Sequence, residues 1–251
     1  MPAEPPAAPA QPSIRLAGVG VAVADMTDQG PVTRTILSDI DAHLAAPMTS
    51  VVGSNGSGKS TFCQLLNGLV PADAGTVTVD GLDPARSPRA VRERVGFVFT
   101  DPAAQLVMPT VGEDVELSLR RAEPRAAARR ERALAVLDEL GIADLAARSV
   151  YELSGGQRQL AALAAVLAVD PAILVLDEPT TLLDLRNREV LRALLFRLVA
   201  QRGLRIVVST HDLALAAEAD DALHFEAGRL VAHGAPAEVV AGYRAAVLGA
   251  L

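Results

Sequence analysis

The chain has 251 residues, half of them apolar, which is enough for one large α/β domain with a sizeable core. Its net charge of −7 gives no electrostatic footprint for nucleic acid, and 3% aromatic residues with no Trp leave Ala, Leu and Val to build the core. Cys63 is the only cysteine, which excludes an intrachain disulfide, fits a reducing compartment and reads as a small buried hydrophobe.

Residues 1–12, "MPAEPPAAPAQP", have neither the basic start nor the apolar stretch of a secretory signal, and their Pro/Ala content predicts a disordered tail. Residues 13–251 are expected to form a single domain. No apolar run approaches the roughly 18 residues that a bilayer-spanning helix needs. "SIRLAGVGVAV" and "TILSDIDAHL" read as amino-terminal strands, possible antiparallel partners. "MTSVV" is a buried strand that runs into a glycine-rich loop, and a helix is expected from Lys59 to about Leu69. "GTVTVDG" is a short strand between turn glycines, and "VGFVF" is a strand that ends at Thr100, Asp101 and Pro102.

From about 111 to 149 the pattern is helical and charged. "PRAAARRERALAVLDELGI" places Ala133, Leu134, Leu137 and Leu140 on one face. Its arginines alternate with Glu131, Asp138 and Glu139, so the run reads as a solvated helix face and not as a phosphate patch. Strands return at "AILVLDEP" and "LRIVVST", each followed by a helix, and "ALHFEAGRLVAHG" reads as a hairpin with Gly228 in its turn. Short strands alternating with helices argue for a mainly parallel sheet, interrupted by a helical subdomain at roughly 110–169. No repeat of 20–50 residues is visible.

Three stretches carry chemistry. "GSNGSGKST", residues 53–61, matches G-x-x-x-x-G-K-[ST] between a strand and a helix. Gly53, Ser54, Asn55, Gly56, Ser57, Gly58 and Thr61 would surround the phosphates with backbone N–H groups. Lys59 would reach the β- and γ-phosphates, and the Ser60 hydroxyl would ligate Mg²⁺. In "ILVLDEP", Asp177 and Glu178 stand at the carboxyl end of a buried strand, where open α/β sheets bind ligands. Asp177 suits the metal, and Glu178 suits a general base for the attacking water. In "LSGGQRQ", Ser154 is either an ordinary N-cap or, with the glycines that follow, part of a second anion site at a helix start.

Taken in order, "GSNGSGKST", "LSGGQRQ", "LVLDEP", "TLLD" and "STHDL" resemble the nucleotide-binding subunit of ATP-binding cassette (ABC) transporters, over about residues 13–234. The resemblance implies an α/β P-loop fold of the ABC type that binds and hydrolyses ATP with Mg²⁺. It implies head-to-tail pairing with a second such domain, in a homodimer or with a sister subunit. Ser154, Gly155, Gly156 and Gln157 would then face the ATP of the partner, Asp184 would link the two sites, and His211 would sense the γ-phosphate. His43, His224 and His233 have no such context and read as surface or packing residues.

Two departures from the family pattern stand out. The aromatic residue that often stacks on adenine is replaced in "VGVAV" by Val19, Val21 and Val23, of which Val23 is the nearest match. Thr100 stands where the family expects a Gln near the metal and the attacking water, and Gln105 lies beyond Pro102. "FTDPAAQLVMPTVGEDVELSL" is similar to the energy-coupling factor (ECF) importers of vitamins and metal ions, and "FTDPAAQLVMPT" to the biotin type. That similarity implies an integral-membrane coupling protein that meets Gln105, Met108 and Pro109. It also implies a substrate-binding membrane component, no nucleic-acid partner, and a place at the cytoplasmic face of the membrane. The other readings are a soluble ABC ATPase acting on ribosomes or DNA, and a regulatory ATP-binding module with feeble hydrolysis.

Overall fold

The computed structural model describes residues 13–27 and 30–249, so the tail expected at 1–12 lies outside the described residues. Strands β1 (Ile14–Thr27) and β2 (Gly30–Leu44) pair antiparallel, with register shifts between Leu16 and Ala22. Strand β3 (Met48–Gly53) is buried throughout and leads into helix α1 (Lys59–Asn67). This helix stops two residues before the expected Leu69 because Gly68 takes the left-handed conformation, φ 68°, and caps it. Strand β4 (Ala74–Val79) pairs with β1, which closes a three-stranded antiparallel sheet in the order β2-β1-β4.

Helix α2 (Pro88–Arg94) feeds strand β5 (Val95–Val98), and Phe99 lies beyond the strand end. The helical stretch supplies α3 (Val111–Leu119), α4 (Ala126–Glu139) and α5 (Gly155–Leu167). On α4 the buried stripe is Ala133, Val136 and Leu137, continued by Leu140, whereas Leu134 is 41% exposed. Leu134 follows Ala133 directly, so the 100° turn per residue carries it off the stripe that the i, i+3, i+4, i+7 spacing defines. The remaining elements are β6 (Ile173–Asp177), α6 (Leu185–Arg202), β7 (Arg205–Ser209), α7 (Leu213–Glu218), β8 (Asp221–Glu226), β9 (Arg229–Gly234) and α8 (Pro236–Gly249).

Six strands form the second sheet in the order β5-β6-β7-β3-β8-β9, parallel except for the β8–β9 hairpin. The strands β3, β5, β6 and β7 are buried throughout, which is why they read as continuous apolar runs, whereas β9 at the sheet edge is partly exposed. On β6, Ile173 and Val175 join Phe62 and Leu66 of α1 in a core shared with the antiparallel sheet. Leu174 and Leu176 face the opposite core, under α3, α5 and α6. The helical stretch thus packs on one face of the sheet, and α1 is held between the two sheets. Among the described residues no helix is long and apolar enough to cross a membrane.

Candidate active site

Parallel strands end together, so β3, β6 and β7 deliver Gly53, Asp177 and Ser209 to one edge, with Thr100 just past β5. The loop after β3 turns on Gly53, Gly56 and Gly58, at φ 151°, 76° and 105°. A Cβ on Gly53 would stand 2.3 Å from the Phe225 carbonyl oxygen, and one on Gly58 would stand 2.6 Å from Leu37. These two glycines answer to close packing as well as to backbone angle. Helix α1 then begins with no side-chain cap, so its first amides have no side-chain acceptor, the condition for an anion site at a helix start.

A cleft of about 680 Å³ opens over this loop. Asn55, Gly56, Ser57, Gly58, Lys59, Ser60 and Thr61 line its floor. Thr100, Glu178, Thr181 and His211 stand on one side, and Arg34, Thr35, Ile36, Ala227 and Gly228 close it elsewhere. The Lys59 ammonium, 5% exposed, donates to the carbonyls of Gly53 at 2.9 Å and Ser54 at 3.1 Å. It also lies 3.5 Å from Glu178 Oε1. Gly53, Ser54 and Asp177 sit behind the cleft wall and position the residues on it.

Asp177 gathers three hydroxyls. Ser60 and Ser209 donate to its Oδ1 at 3.0 and 2.6 Å, and Thr100 donates to its Oδ2 at 3.3 Å. Such a set, one carboxylate among hydroxyl oxygens, suits a hard divalent cation completed by phosphate and water. Among the described residues no cluster of three His, Cys, Asp or Glu could hold a metal without those additions.

Glu178 follows at φ 51°, a left-handed conformation unusual for a non-glycine residue. Its amide donates to the Ser209 carbonyl at 3.0 Å and hydroxyl at 3.2 Å. Its Oε2 accepts from the His211 amide at 3.2 Å and from Thr181 at 3.4 Å. Its Oε1 lies 3.0 Å from His211 Nε2, outside hydrogen-bond geometry. The Glu178 carboxylate is therefore held at the mouth of the cleft by the groups expected to work with it.

Ser154, Gly155, Gly156, Gln157 and Asp184 do not line the cleft. Ser154 caps α5 in a reciprocal capping box with Gln157, and Asp184 caps α6 by accepting from the Asn187 amide at 2.8 Å. The two helix starts adjoin: a Cβ on Gly156 would stand 2.5 Å from the Asn187 side chain, and one on Gly155 would stand 3.2 Å from the Leu182 carbonyl. Around them Tyr151, Leu182 and Leu185 are 87%, 61% and 76% exposed.

Of the expected base contacts, Val19 and Val21 are buried in the core shared with α1 and cannot reach a nucleotide. Val23 is 42% exposed on the same strand. Gln105 turns inward, with its Oε1 accepting from the Phe99 amide at 3.3 Å and its Nε2 donating weakly to Phe97 and Ala162, both at 3.5 Å. It ties the end of β5 to α5. Cys63 is fully buried, and burial raises its thiol pKa well above the ordinary value. His43 is exposed, His224 packs against Tyr243 with ring centroids 5.0 Å apart, and His233 Nε2 lies 2.8 Å from Asp221.

Ser209 and Thr181 open the "STHDL" and "TLLD" stretches but were given no role there, and Arg34, Thr35 and Ile36 lie in no motif. Ser209 had a signal, since it ends an apolar strand two residues before His211 and pairs with Asp177 in the sheet register. The others reach the cleft only through tertiary packing.

A phosphate loop at the edge of a parallel sheet, with Asp177 and Glu178 at the end of β6, one strand removed across β7, defines a P-loop nucleoside triphosphatase. The family described as ABC transporter matches residues 39–181. The biotin transport ATP-binding protein BioM of Rhizobium etli is 42% identical over 211 residues, covering 84% of this chain and 92% of that protein. The energy-coupling factor transporter ATP-binding protein EcfA1 of Lactobacillus delbrueckii subsp. bulgaricus is 40% identical over 212 residues, 82% of this chain and 75% of that protein. Among solved structures, cbiO1 from Clostridium perfringens, part of the ABC transporter complex cbiONQ, superposes with a TM-score of 0.79 at 27% identity, covering 94% of this chain and 93% of that one. The dimeric bacterial ABC transporter cassette MJ0796 superposes with a TM-score of 0.78 at 28% identity, covering 89% and 98%. The chain belongs to the ABC transporter family: it is an ATP-binding subunit, an ATPase with the fold of that family.

Proposed function

We propose that this chain hydrolyses ATP in composite sites shared with a second ATPase domain, and so powers an ECF-type importer of a vitamin or metal ion. The observation that carries the catalytic part is the Glu178 carboxylate, buried at the cleft between His211 Nε2 at 3.0 Å and Lys59 Nζ at 3.5 Å. The triphosphate lies on the amides of the loop before α1. Lys59 exchanges the carbonyls of Gly53 and Ser54 for the β- and γ-phosphates. Ser60, Asp177 and Thr100 would hold Mg²⁺, which when bound neutralises charge on the phosphate oxygens. A water attacks the γ-phosphorus as the bond to the ADP oxygen breaks, and Glu178 takes the proton that the water loses. His211 orients that carboxylate and faces the γ-phosphate. Ser154, Gly155, Gly156 and Gln157 serve the ATP of the partner domain, a second copy or a sister subunit, and Asp184 links the two sites.

The transport part has its own support. A groove of about 380 Å³ runs between the end of β5, α3 and α5, lined by Leu69, Phe97, Phe99, Gln105, Val107 and Val166 among others. Val107 is 68% exposed, Leu69 41% and Phe99 38%, which is a large apolar outlay for one small area. We assign this groove to a helix of the integral-membrane coupling protein, with this chain peripheral on the cytoplasmic face. Met108 and Pro109 fall outside the groove, and Gln105 is its inner wall. The similarity to BioM favours biotin as the imported solute, taken up through a separate substrate-binding membrane component.

The Glu178→Gln variant should lose about a hundredfold or more in ATP turnover while still binding ATP, because a general base is worth that much and its amide isostere keeps the packing. Unchanged turnover would remove Glu178 from the base role. From detergent-solubilised membranes the wild-type chain should co-purify with an integral-membrane partner, and Val107→Asp should release it. Retention of the partner by Val107→Asp would count against the groove.

A further inference from the structure

The cleft has a phosphate end and, by elimination, a base end. Glu178, Thr100 and His211 crowd one side of the phosphate loop, so the terminal phosphate belongs there. β2 supplies a further wall of the same cleft with Arg34, Thr35 and Ile36, and the base is assigned to that wall. Among the described residues this wall carries no aromatic side chain. In the β1–β2 register Arg34 is the direct cross-strand partner of Val23, the position where an adenine-stacking aromatic is missing. Paired residues share a face of the sheet, with their side chains in reach of each other. A planar cation therefore stands beside the slot that lacks its ring.

We propose that Arg34 is the base platform of this site, its guanidinium stacked flat on the adenine ring in place of an aromatic side chain at Val23. The inference rests on the reading of the cleft as the ATP site. A guanidinium is planar, weakly hydrated and permanently charged, so it stacks on π faces as an ammonium cannot. Its charge is also drawn to the electron-rich face of a ring. Arg34 is then a contact that gives affinity for the base through its face, and it touches none of the phosphates.

The test is equilibrium binding of ATP, ADP and inorganic tripolyphosphate to the full chain in EDTA, where hydrolysis is silent. Thermal melting of each variant checks its fold. Arg34→Met should weaken ATP and ADP by about tenfold, the range of a desolvated cation–π contact, and leave tripolyphosphate unchanged. Arg34→Lys keeps the charge without the plane, and should show most of the same loss. Val23→Tyr, added to Arg34→Met, should restore ATP affinity to within about threefold of the wild type, since an aromatic face replaces the cationic one. Equal ATP affinity in Arg34→Met overturns the proposal. So does an equal loss for tripolyphosphate, which would make Arg34 a phosphate ligand, or full affinity in Arg34→Lys. So does a Val23→Tyr double variant that stays weak. A wild-type chain that binds neither ATP nor tripolyphosphate would instead sink the reading of the cleft itself.

Discussion

Thr100 is the residue whose presence most needs a physical account. Its hydroxyl reaches Asp177 Oδ2 at 3.3 Å and so joins the oxygen cluster that Ser60 and Ser209 make on the same carboxylate. On the proposed reading the threonine hydroxyl serves the cation, but it has no amide with which to orient a water. Thr100→Gln should keep or raise steady-state ATP turnover, measured as phosphate release with Mg²⁺. A loss of about tenfold or more would show that the position does not face the metal and water. Glu178 is held at φ 51°, a conformation that costs of order 1–3 kcal/mol for a non-glycine residue. Its amide bonds to Ser209 and its carboxylate contacts to His211 keep it there. At this scale the motifs named the chemistry but not the supports. Nothing about "VVST" alone says that Ser209 will meet Asp177, because that contact depends on which strands the sheet makes neighbours.

At the scale of elements, strands were legible where both faces are buried, since β3, β6 and β7 each read as an unbroken apolar run. Helix α4 shows the limit. Leu134 was placed on the expected face with Ala133, although the i, i+3, i+4, i+7 spacing from Ala133 selects Val136 and leaves Leu134 exposed. Strand β1 shows another limit, for Val19, Val21 and Val23 alternate alike along it, yet only Val19 and Val21 are covered by the core while Val23 is 42% exposed. Helix α8 docks with Tyr243 against His224, which is buried on β8. Burial pushes the His224 pKa below its ordinary 6.5, and Glu226 opposes this only in part. The unfolded chain then takes up a proton near pH 6.5 that the fold resists, so stability is lost as pH falls through that value. Denaturant midpoints should drop between about pH 7.5 and pH 5.5, and drop less in His224→Phe. Parallel pH profiles for the two proteins would contradict this.

At the scale of the molecule, two of the motifs are unemployed within one chain. Ser154 and Asp184 cap helices, stand apart from the cleft, and are ringed by exposed Tyr151, Leu182 and Leu185. The N-cap role foreseen for Ser154 is real, and it leaves the hydroxyl proton available to a phosphate brought by another chain. The dimeric arrangement of MJ0796 gives such a partner a precedent in the family. On the proposed composite site, a single chain holds only half of each site, and the motifs then name more residues than the cleft of one chain gathers. The direct measurement is the mass in solution of the Glu178→Gln variant, with and without ATP, beside the same variant carrying Ser154→Arg. Monomers are expected without ATP, dimers with it, and monomers again once Ser154→Arg blocks the signature. A Glu178→Gln chain that binds ATP and stays monomeric, while the wild type hydrolyses it at a rate proportional to its concentration, would contradict the composite site.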